Sequence, residues 1–210
     1  MKQVVFDFDK TLTQHDTFFP FLKYATKSSG LSKLVRILLY RGLGLAYRMR
    51  FISNDTLKNC AIRLFIYNYT SEEINSSASG FWQTITFHQK TFDRLLEHIN
   101  NPSDKVYIAT ASLNEYACKI QDIGPDLIVC ASELQYHLGR VKQLKFNNYQ
   151  EQKLKYFGDK EIDLLYTDSL SDLPLAQKSK KIVLVLQNGE LEELKDVEHL
   201  RFRLRNRSKE

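Results

Sequence analysis

The stretch Val4-Val5-Phe6-Asp7-Phe8-Asp9-Lys10-Thr11-Leu12-Thr13 decides how this chain is read. Its apolar start reads as a buried strand, and it runs into two carboxylates two residues apart. Successive side chains of a strand alternate, so Asp7 and Asp9 begin on the same side. Buried charge is costly unless it is paired. Two anions held that close repel one another unless a cation or a shared proton neutralises them. Ligands made only of oxygen suit a hard ion such as Mg²⁺. The plain alternative is a surface turn with two solvated acids, and an isolated Asp-x-Asp would fit that better.

The pair does not stand alone. Ile162-Asp163-Leu164-Leu165-Tyr166-Thr167 reads as another short buried strand, followed at once by Asp168-Ser169-Leu170-Ser171-Asp172. Between the two acidic pairs lies Val106-Tyr107-Ile108-Ala109-Thr110-Ala111-Ser112, an apolar strand that ends in hydroxyls. Lys153 opens a helical stretch ahead of the second pair. In an open parallel α/β sheet, reactive groups collect beyond the carboxyl ends of the strands. All three segments place theirs there.

Strand signals recur at residues 3–8, 105–110, 126–131, 162–167 and 181–187, with helical patterns at 89–100, 113–122, 149–158 and 171–178. That alternation predicts an α/β fold, a Rossmann-like parallel sheet with helices on both faces. Residues 134–146 read instead as a hairpin turning at Gly139. The first two strands are separated by nearly 100 residues, far more than a crossover helix needs. Helical patterns fill that space at 17–27, 31–49, 54–68 and 71–87, the last with an N-terminal cap at Ser71 and acids in its first turn. The domain reading is therefore a core of residues 1–13 and 89–210 with a helical cap at 14–88 inserted after the first acidic loop.

In its order and chemistry the chain resembles the haloacid dehalogenase superfamily of aspartate-nucleophile phosphatases. The resemblance rests on Asp7-x-Asp9-x-Thr11, Thr110, Lys153 and Asp168-x-x-x-Asp172, and it spans residues 4 to about 175. Thr110-Ala111-Ser112 and the segment Gln14 to Leu22 look like the phosphoserine-phosphatase-like branch, near members acting on lipid phosphates such as phosphatidylglycerophosphatase C. Lys10 and Thr167 stand where glycine is common in that family.

The resemblance implies Mg²⁺-dependent hydrolysis of a phosphomonoester. Asp7 would be the nucleophile that forms an aspartyl-phosphate, and Asp9 the general acid and base. Asp7, Asp9 through its backbone carbonyl, and Asp168 would hold the metal. Thr110, Ala111 and Ser112 would bind the phosphoryl group, with Thr11 pinning the loop. Lys153 would neutralise the transition state, in preference to its neighbours Lys155 and Lys160. Asp172 would support Lys153 or a metal-bound water. A loop histidine such as His15 is more often solvated than functional, and Arg140 could serve either substrate or structure. Other readings are phosphoryl transfer to an acceptor other than water, and a non-catalytic module that binds a membrane surface.

At 43% hydrophobic and 26% charged residues, the composition is that of an ordinary globular chain long enough for one sizeable core. The three cysteines, Cys60, Cys118 and Cys130, have no metal-ligand spacing and fit a reducing, cytoplasmic compartment. The first strand starts at residue 3, which is read as leaving no room for a signal peptide.

The net charge of +5 is uneven. No acid occurs from Thr17 to Asn54, whereas Lys23, Lys27, Lys33, Arg36, Arg41, Arg48 and Arg50 do. Wound as a helix, residues 31–50 put Leu31, Leu34, Val35, Leu38, Leu45 and Met49 on one face, with a break expected at Gly42 or Gly44. Either that face packs inside the cap, or the helix meets an anionic membrane surface and places the protein peripherally at the inner membrane. The substrate is accordingly expected to be a small phosphorylated metabolite or a lipid phosphate. Nucleic acid is disfavoured, because no recognition motif accompanies the basic charge.

Overall fold

β1 (Lys2–Phe6) runs through the middle of a seven-stranded sheet, which is why Val4, Val5 and Phe6 are fully buried. The computed structural model describes residues 1–206, so the last four positions of the expected core range, 207–210, lie outside the described residues. The other strands are β2 (Asp104–Leu113), β3 (Ile128–His137), β4 (Arg140–Phe146), β5 (Leu164–Thr167), β6 (Ile182–Val185) and β7 (Leu191–Leu194). They lie in the order β4-β3-β2-β1-β5-β6-β7. The five central strands are parallel, and β4 and β7 close the edges antiparallel. The sheet is therefore mixed, with the expected parallel pairing confined to its centre.

Strand alternation divides the core in two. Val4 and Phe6 join one buried cluster with Ile108 and Tyr166, while Val5 joins another with Ala109, Leu165 and Leu184. The first cluster is continuous with the helices that follow β1, namely α1 (Phe18–Ala25), α2 (Gly30–Arg48), α3 (Asn54–Phe65) and α4 (Ser71–Trp82). Phe21, Ile62, Phe65, Ile74 and Phe81 from this segment are buried in it. The chain enters and leaves the segment side by side. Thr13 bridges Phe87, Gln14 N donates to Thr86 O at 2.9 Å, and His88 N donates to Leu12 O at 2.8 Å.

α5 (Gln89–Ile99) leads into β2, and α6 (Asn114–Ala117) continues as a 3₁₀ turn over Cys118–Asp122. The expected helices at 149–158 and 171–178 are tighter or shorter. They appear as 3₁₀ helices at Gln150–Tyr156 and Leu170–Asp172, the second running into α7 (Leu173–Gln177). β3 and β4 form the expected hairpin, and both Leu138 (φ 49°) and Gly139 (φ 69°) take the positive φ that a two-residue hairpin turn demands.

β7 and α8 (Val197–Asn206) had no counterpart among the expected elements. Leu191-Glu192-Glu193-Leu194 carries two adjacent glutamates and still pairs with β6 from Ile182↔Leu194 to Val185↔Leu191. Charge on such an edge discourages pairing with another chain. Helix α2 is unbroken through Gly42 and Gly44. No helix among the described residues is long and apolar enough to cross a membrane.

α4 begins one residue earlier than its expected cap. Thr70, not Ser71, is the N-cap: its hydroxyl accepts from Glu73 N at 3.2 Å, and Glu73 Oε2 accepts from Thr70 N at 2.9 Å. Two otherwise orphaned N–H groups are satisfied by this reciprocal pair. Thr70→Ala should therefore lower unfolding free energy by about 1 kcal/mol, with Ser71→Ala nearly neutral, in paired urea titrations. Equal losses at both positions would contradict the assignment.

Candidate active site

The topology opens a crevice before any side chain is considered. After β1 the chain moves toward β2 on one side, and after β5 it moves toward β6 on the other. Loops diverge where the winding reverses, leaving a gap at the carboxyl ends of the strands. Asp7 sits at that gap, its N–H donating to Tyr166 O on β5 at 3.0 Å, and Asp168 follows β5 directly. Both carboxylates line the resulting cleft with Asp9 and Lys153.

Lys153 lies at the bottom and is only 2% exposed. Its ammonium donates to Asp7 Oδ1 at 2.8 Å and to Asp172 Oδ1 at 2.6 Å. Asp172 Oδ2 in turn accepts from Thr167 Oγ1 at 2.7 Å. Lys155, by contrast, is exposed and lies 4.9 Å over the Phe146 ring. Thr167, where the resembling family commonly has glycine, thus uses its hydroxyl to fix the carboxylate that fixes the lysine.

The charges at this contact do not cancel. Asp7 and Asp172 supply two carboxylates to the one ammonium of Lys153, and the Asp168 charge acts on Asp7 as well. Burial pushes the Asp7 carboxyl well above its ordinary range, and the Asp172 and Asp168 charges push the same way against the pull of Lys153. Burial by itself would lower Lys153, but its two carboxylate partners outweigh that and raise it. Both groups are thus pushed upward, Asp7 chiefly by burial with two anionic neighbours adding to it, and Lys153 by two anionic partners against its burial.

Asp9 is turned away from this group. Its Oδ1 accepts from Thr17 N at 2.8 Å and Thr17 Oγ1 at 2.5 Å, and its Oδ2 accepts from Ser112 Oγ at 2.5 Å. The buried Tyr116 hydroxyl lies 2.9 Å from Thr17 Oγ1, and since the threonine proton points to Asp9, the phenol donates to the threonine. Burial raises the Tyr116 phenol far above its usual range, with the Asp9 charge adding to it. No three His, Cys, Asp or Glu side chains among the described residues gather closely enough to hold a metal by themselves. The Asp9 carboxylate is held by Thr17 and Ser112, so the atom it has left to offer a metal is the backbone carbonyl, the donor expected of it beside Asp7 and Asp168.

The remaining donors still fit Mg²⁺. They are all oxygen, the cluster carries excess negative charge, and Mg²⁺ keeps several waters of its own, so two carboxylates suffice.

The strand-end hydroxyls mostly serve the loops. Thr110 is fully buried and its Oγ1 accepts from Ser112 N at 2.9 Å. Of Thr110, Ala111 and Ser112, only Ala111 lines the cleft. Thr11 Oγ1 makes a long 3.4 Å contact to Asp7 Oδ2 from a fully buried position. His15 is exposed and does not line the cleft, and Arg140 is exposed and donates to Asn68 O at 2.9 Å.

The opposite wall comes from the helical segment and was largely missed in the sequence. Tyr40, Tyr47, Asn54 and Lys58 line it, with Asp16 and Phe18 at the near side and Tyr149 across from Tyr47. The two phenols are 3.2 Å apart. Lys58 is 6% exposed, donates to Asn147 Oδ1 at 3.0 Å and to Ala111 O, and lies 5.0 Å over the Phe18 ring. One signal could have found it. In α3 the buried positions are Leu57, Lys58, Ala61, Ile62 and Phe65, so Lys58 falls inside an apolar stripe at helical spacing. Asp16 keeps one side open to water but is hemmed in by the cleft walls, and that burial, reinforced by the Asp9 charge, raises its carboxyl to about 6.

The model of the haloacid dehalogenase-like hydrolases matches residues 4–177. Among solved structures, a protein of unknown function from Bordetella pertussis Tohama I superposes with a TM-score of 0.73 at 17% identity, covering 88% of this chain and 90% of that one. A phosphoserine phosphohydrolase-like protein from Francisella tularensis gives 0.62 at 18% identity, covering 97% and 100%. Phosphoserine phosphatase from T. onnurineus gives 0.55 at 18% identity, covering 98% and 94%. At these identities the likeness is one of fold. No curated protein matches the chain.

Burial lowers the Lys58 amine to about 8, although Asp9 and Asp16 pull it upward. Between about 8 and the ordinary value of 10.5, the unfolded chain holds a proton that folded Lys58 has lost. Stability from this group therefore rises with pH across that window. Urea titrations from pH 7 to 10 should show the wild type gaining on Lys58→Met as pH climbs. A difference that stays flat would place the amine in water.

Proposed function

The chain belongs to the haloacid dehalogenase-like hydrolase family, and from that premise we propose that it hydrolyses phosphomonoesters through nucleophilic Asp7. The observation that carries the reading is the Lys153 ammonium held between Asp7 and Asp172 at the floor of the switch-point cleft. Phosphoryl transfer needs a positioned nucleophile and positive charge against the transferring oxygens more than any elaborate covalent apparatus. Asp7 attacks phosphorus and the ester oxygen leaves, so that the phosphoryl group is carried as an aspartyl-phosphate. Asp9 gives its proton to the departing alcohol, then takes one from the water that attacks phosphorus and frees Asp7. Thr17 and Ser112 aim its carboxyl group for both steps. Lys153 balances the charge that builds on the phosphoryl oxygens, and Asp172, itself fixed by Thr167, keeps it on Asp7.

Asp7, Asp168 and the Asp9 carbonyl are the residues that would hold Mg²⁺. When bound, the ion supplies positive charge beside the phosphoryl oxygens and offsets the surplus carboxylates.

Residues 14–88 act in this reading as a cap on a core of 1–13 and 89–210. Its support is that Tyr40, Tyr47, Asn54 and Lys58 all reach the cleft from that segment, which joins the rest through the paired stretches at Thr13 and Phe87. Such a wall excludes water and selects the ester. The ester is a small phosphorylated metabolite or the head of a lipid phosphate.

Phosphate release from a panel of soluble and lipid phosphomonoesters, with Mg²⁺ or with EDTA, tests the proposal. Asp7→Asn should abolish release, and EDTA should do the same reversibly. Lys153→Ala should lower kcat by about 10²-fold or more, as for a lost transition-state stabiliser, with Lys155→Ala unchanged and circular dichroism verifying the fold. Full activity in Asp7→Asn would overturn the assignment.

A further inference from the structure

Helix α2 is inside out. Of its 19 residues none is buried. The positions turned toward the protein are Lys33, Arg36, Ile37, Tyr40, Leu43 and Tyr47, which recur at helical spacing and are half-exposed. Two of them are tied inward by polar groups: Arg36 Nη1 donates to Leu64 O, and the Tyr47 hydroxyl meets that of Tyr149. Tyr40 stacks on Phe19 with ring centroids 4.0 Å apart. The opposite face carries Leu31 (76% exposed), Leu34, Leu38, Leu45, Met49 (56%) and, just past the helix, Phe51 (74%). Eight of the sixteen large apolar side chains exposed among the described residues fall between positions 31 and 51. Scattered apolar side chains are ordinary on a surface, whereas a continuous stripe of them marks a contact. The alternative of a face packed within the cap is thereby set aside.

Charge tells what covers the stripe. Arg41 and Arg48, both exposed, flank it along one side, and Arg50 follows at its end. No acidic residue occurs between Thr17 and Asn54 to pair with them. A second copy docked face to face by two-fold symmetry would bring two such basic rims together without a counter-charge. An anionic surface with an apolar interior meets both features at once. From these observations we infer that α2 is a docking helix that lies on an anionic lipid surface, its leucine stripe in the acyl boundary and its arginines among the headgroups. The helix does not span, since no helix among the described residues can cross a membrane.

Docking stands on α2 alone. Its consequence for the substrate rests on the phosphatase reading above: Tyr40 and Tyr47 on the inner face line the cleft, so the cleft lies against the membrane-bound helix and meets phosphomonoesters presented at a lipid surface.

Co-sedimentation with vesicles of phosphatidylglycerol and phosphatidylcholine, against vesicles of phosphatidylcholine alone, tests the inference on the full chain. The wild type should sediment with the anionic vesicles at low salt and not with the neutral ones. Leu38→Glu/Leu45→Glu should lose that retention, and Arg41→Gln/Arg48→Gln should weaken it on the order of tenfold or more. The exposed leucines touch neither core nor cleft, so both variants should turn over p-nitrophenyl phosphate as the wild type does. No retention of the wild type would overturn the inference, as would equal retention of the leucine variant. A dimer in sedimentation velocity that Leu38→Glu/Leu45→Glu dissociates, with vesicles ignored, would assign the stripe to a second copy instead. Loss of p-nitrophenyl phosphate turnover in every form bears on the phosphatase reading and leaves the sedimentation result to decide docking.

Discussion

One buried ammonium organises this molecule. Lys153 bonds to Asp7 after β1 and to Asp172 after β5, and so ties together the two loops that diverge at the centre of the sheet. Removing one partner from a buried ion pair typically costs about 3–5 kcal/mol, because the survivor keeps its charge without compensation. Here two carboxylates share that one lysine, so their contact carries surplus negative charge even when intact. A folded chain tolerates that surplus when something cationic, or a transferable group attended by a cation, belongs in the gap. The same imbalance adds to the burial that raises the Asp7 carboxyl and suits a divalent cation such as Mg²⁺, while the Thr167 hydroxyl holds Asp172 in place.

Around this centre the protein divides its labour by element. The sheet supplies the floor: strand ends carry the carboxylates, and the alternation of Val4, Val5 and Phe6 locks β1 between two buried clusters. The helical segment supplies most of the wall, with the buried Lys58 and with Tyr40 and Tyr47 beside Asp16, and Tyr149 meets Tyr47 from outside it. Because that wall shares the first buried cluster with the sheet, the geometry of the cleft is set by apolar packing as much as by its charges.

Much of the floor was legible in the sequence. The strand positions, the hairpin at Gly139 and the acidic loops follow from apolar runs that end in charge, a pattern with few structural uses. The wall was not legible, since Lys58, Tyr47 and Tyr149 meet across separations near ninety residues or more that no local pattern encodes. Asp9 shows the limit of spacing arguments. It begins two residues from Asp7 on a strand, but β1 ends at Phe6, and the loop that follows turns its carboxylate toward Thr17 and Ser112. Lys10 marks that turn with φ 59°, a left-handed conformation costing a non-glycine residue about 1–2 kcal/mol, which explains why glycine is common there in the resembling family. β7 was hidden for a different reason: its two glutamates obscure a strand that the edge of a sheet tolerates. On α2 the sequence showed an apolar stripe, but only the fold shows that the stripe faces outward.

Asp7 is the proposed bearer of the phosphoryl group, and covalent trapping tests that role most directly. Protein mixed with a good phosphomonoester substrate and Mg²⁺, quenched in acid during turnover and digested, should yield the peptide around Asp7 carrying one phosphoryl group. Borohydride reduction should then convert that aspartyl-phosphate to homoserine at position 7. Brisk phosphate release with no modified peptide, or with the phosphoryl group on another residue, would contradict the central claim.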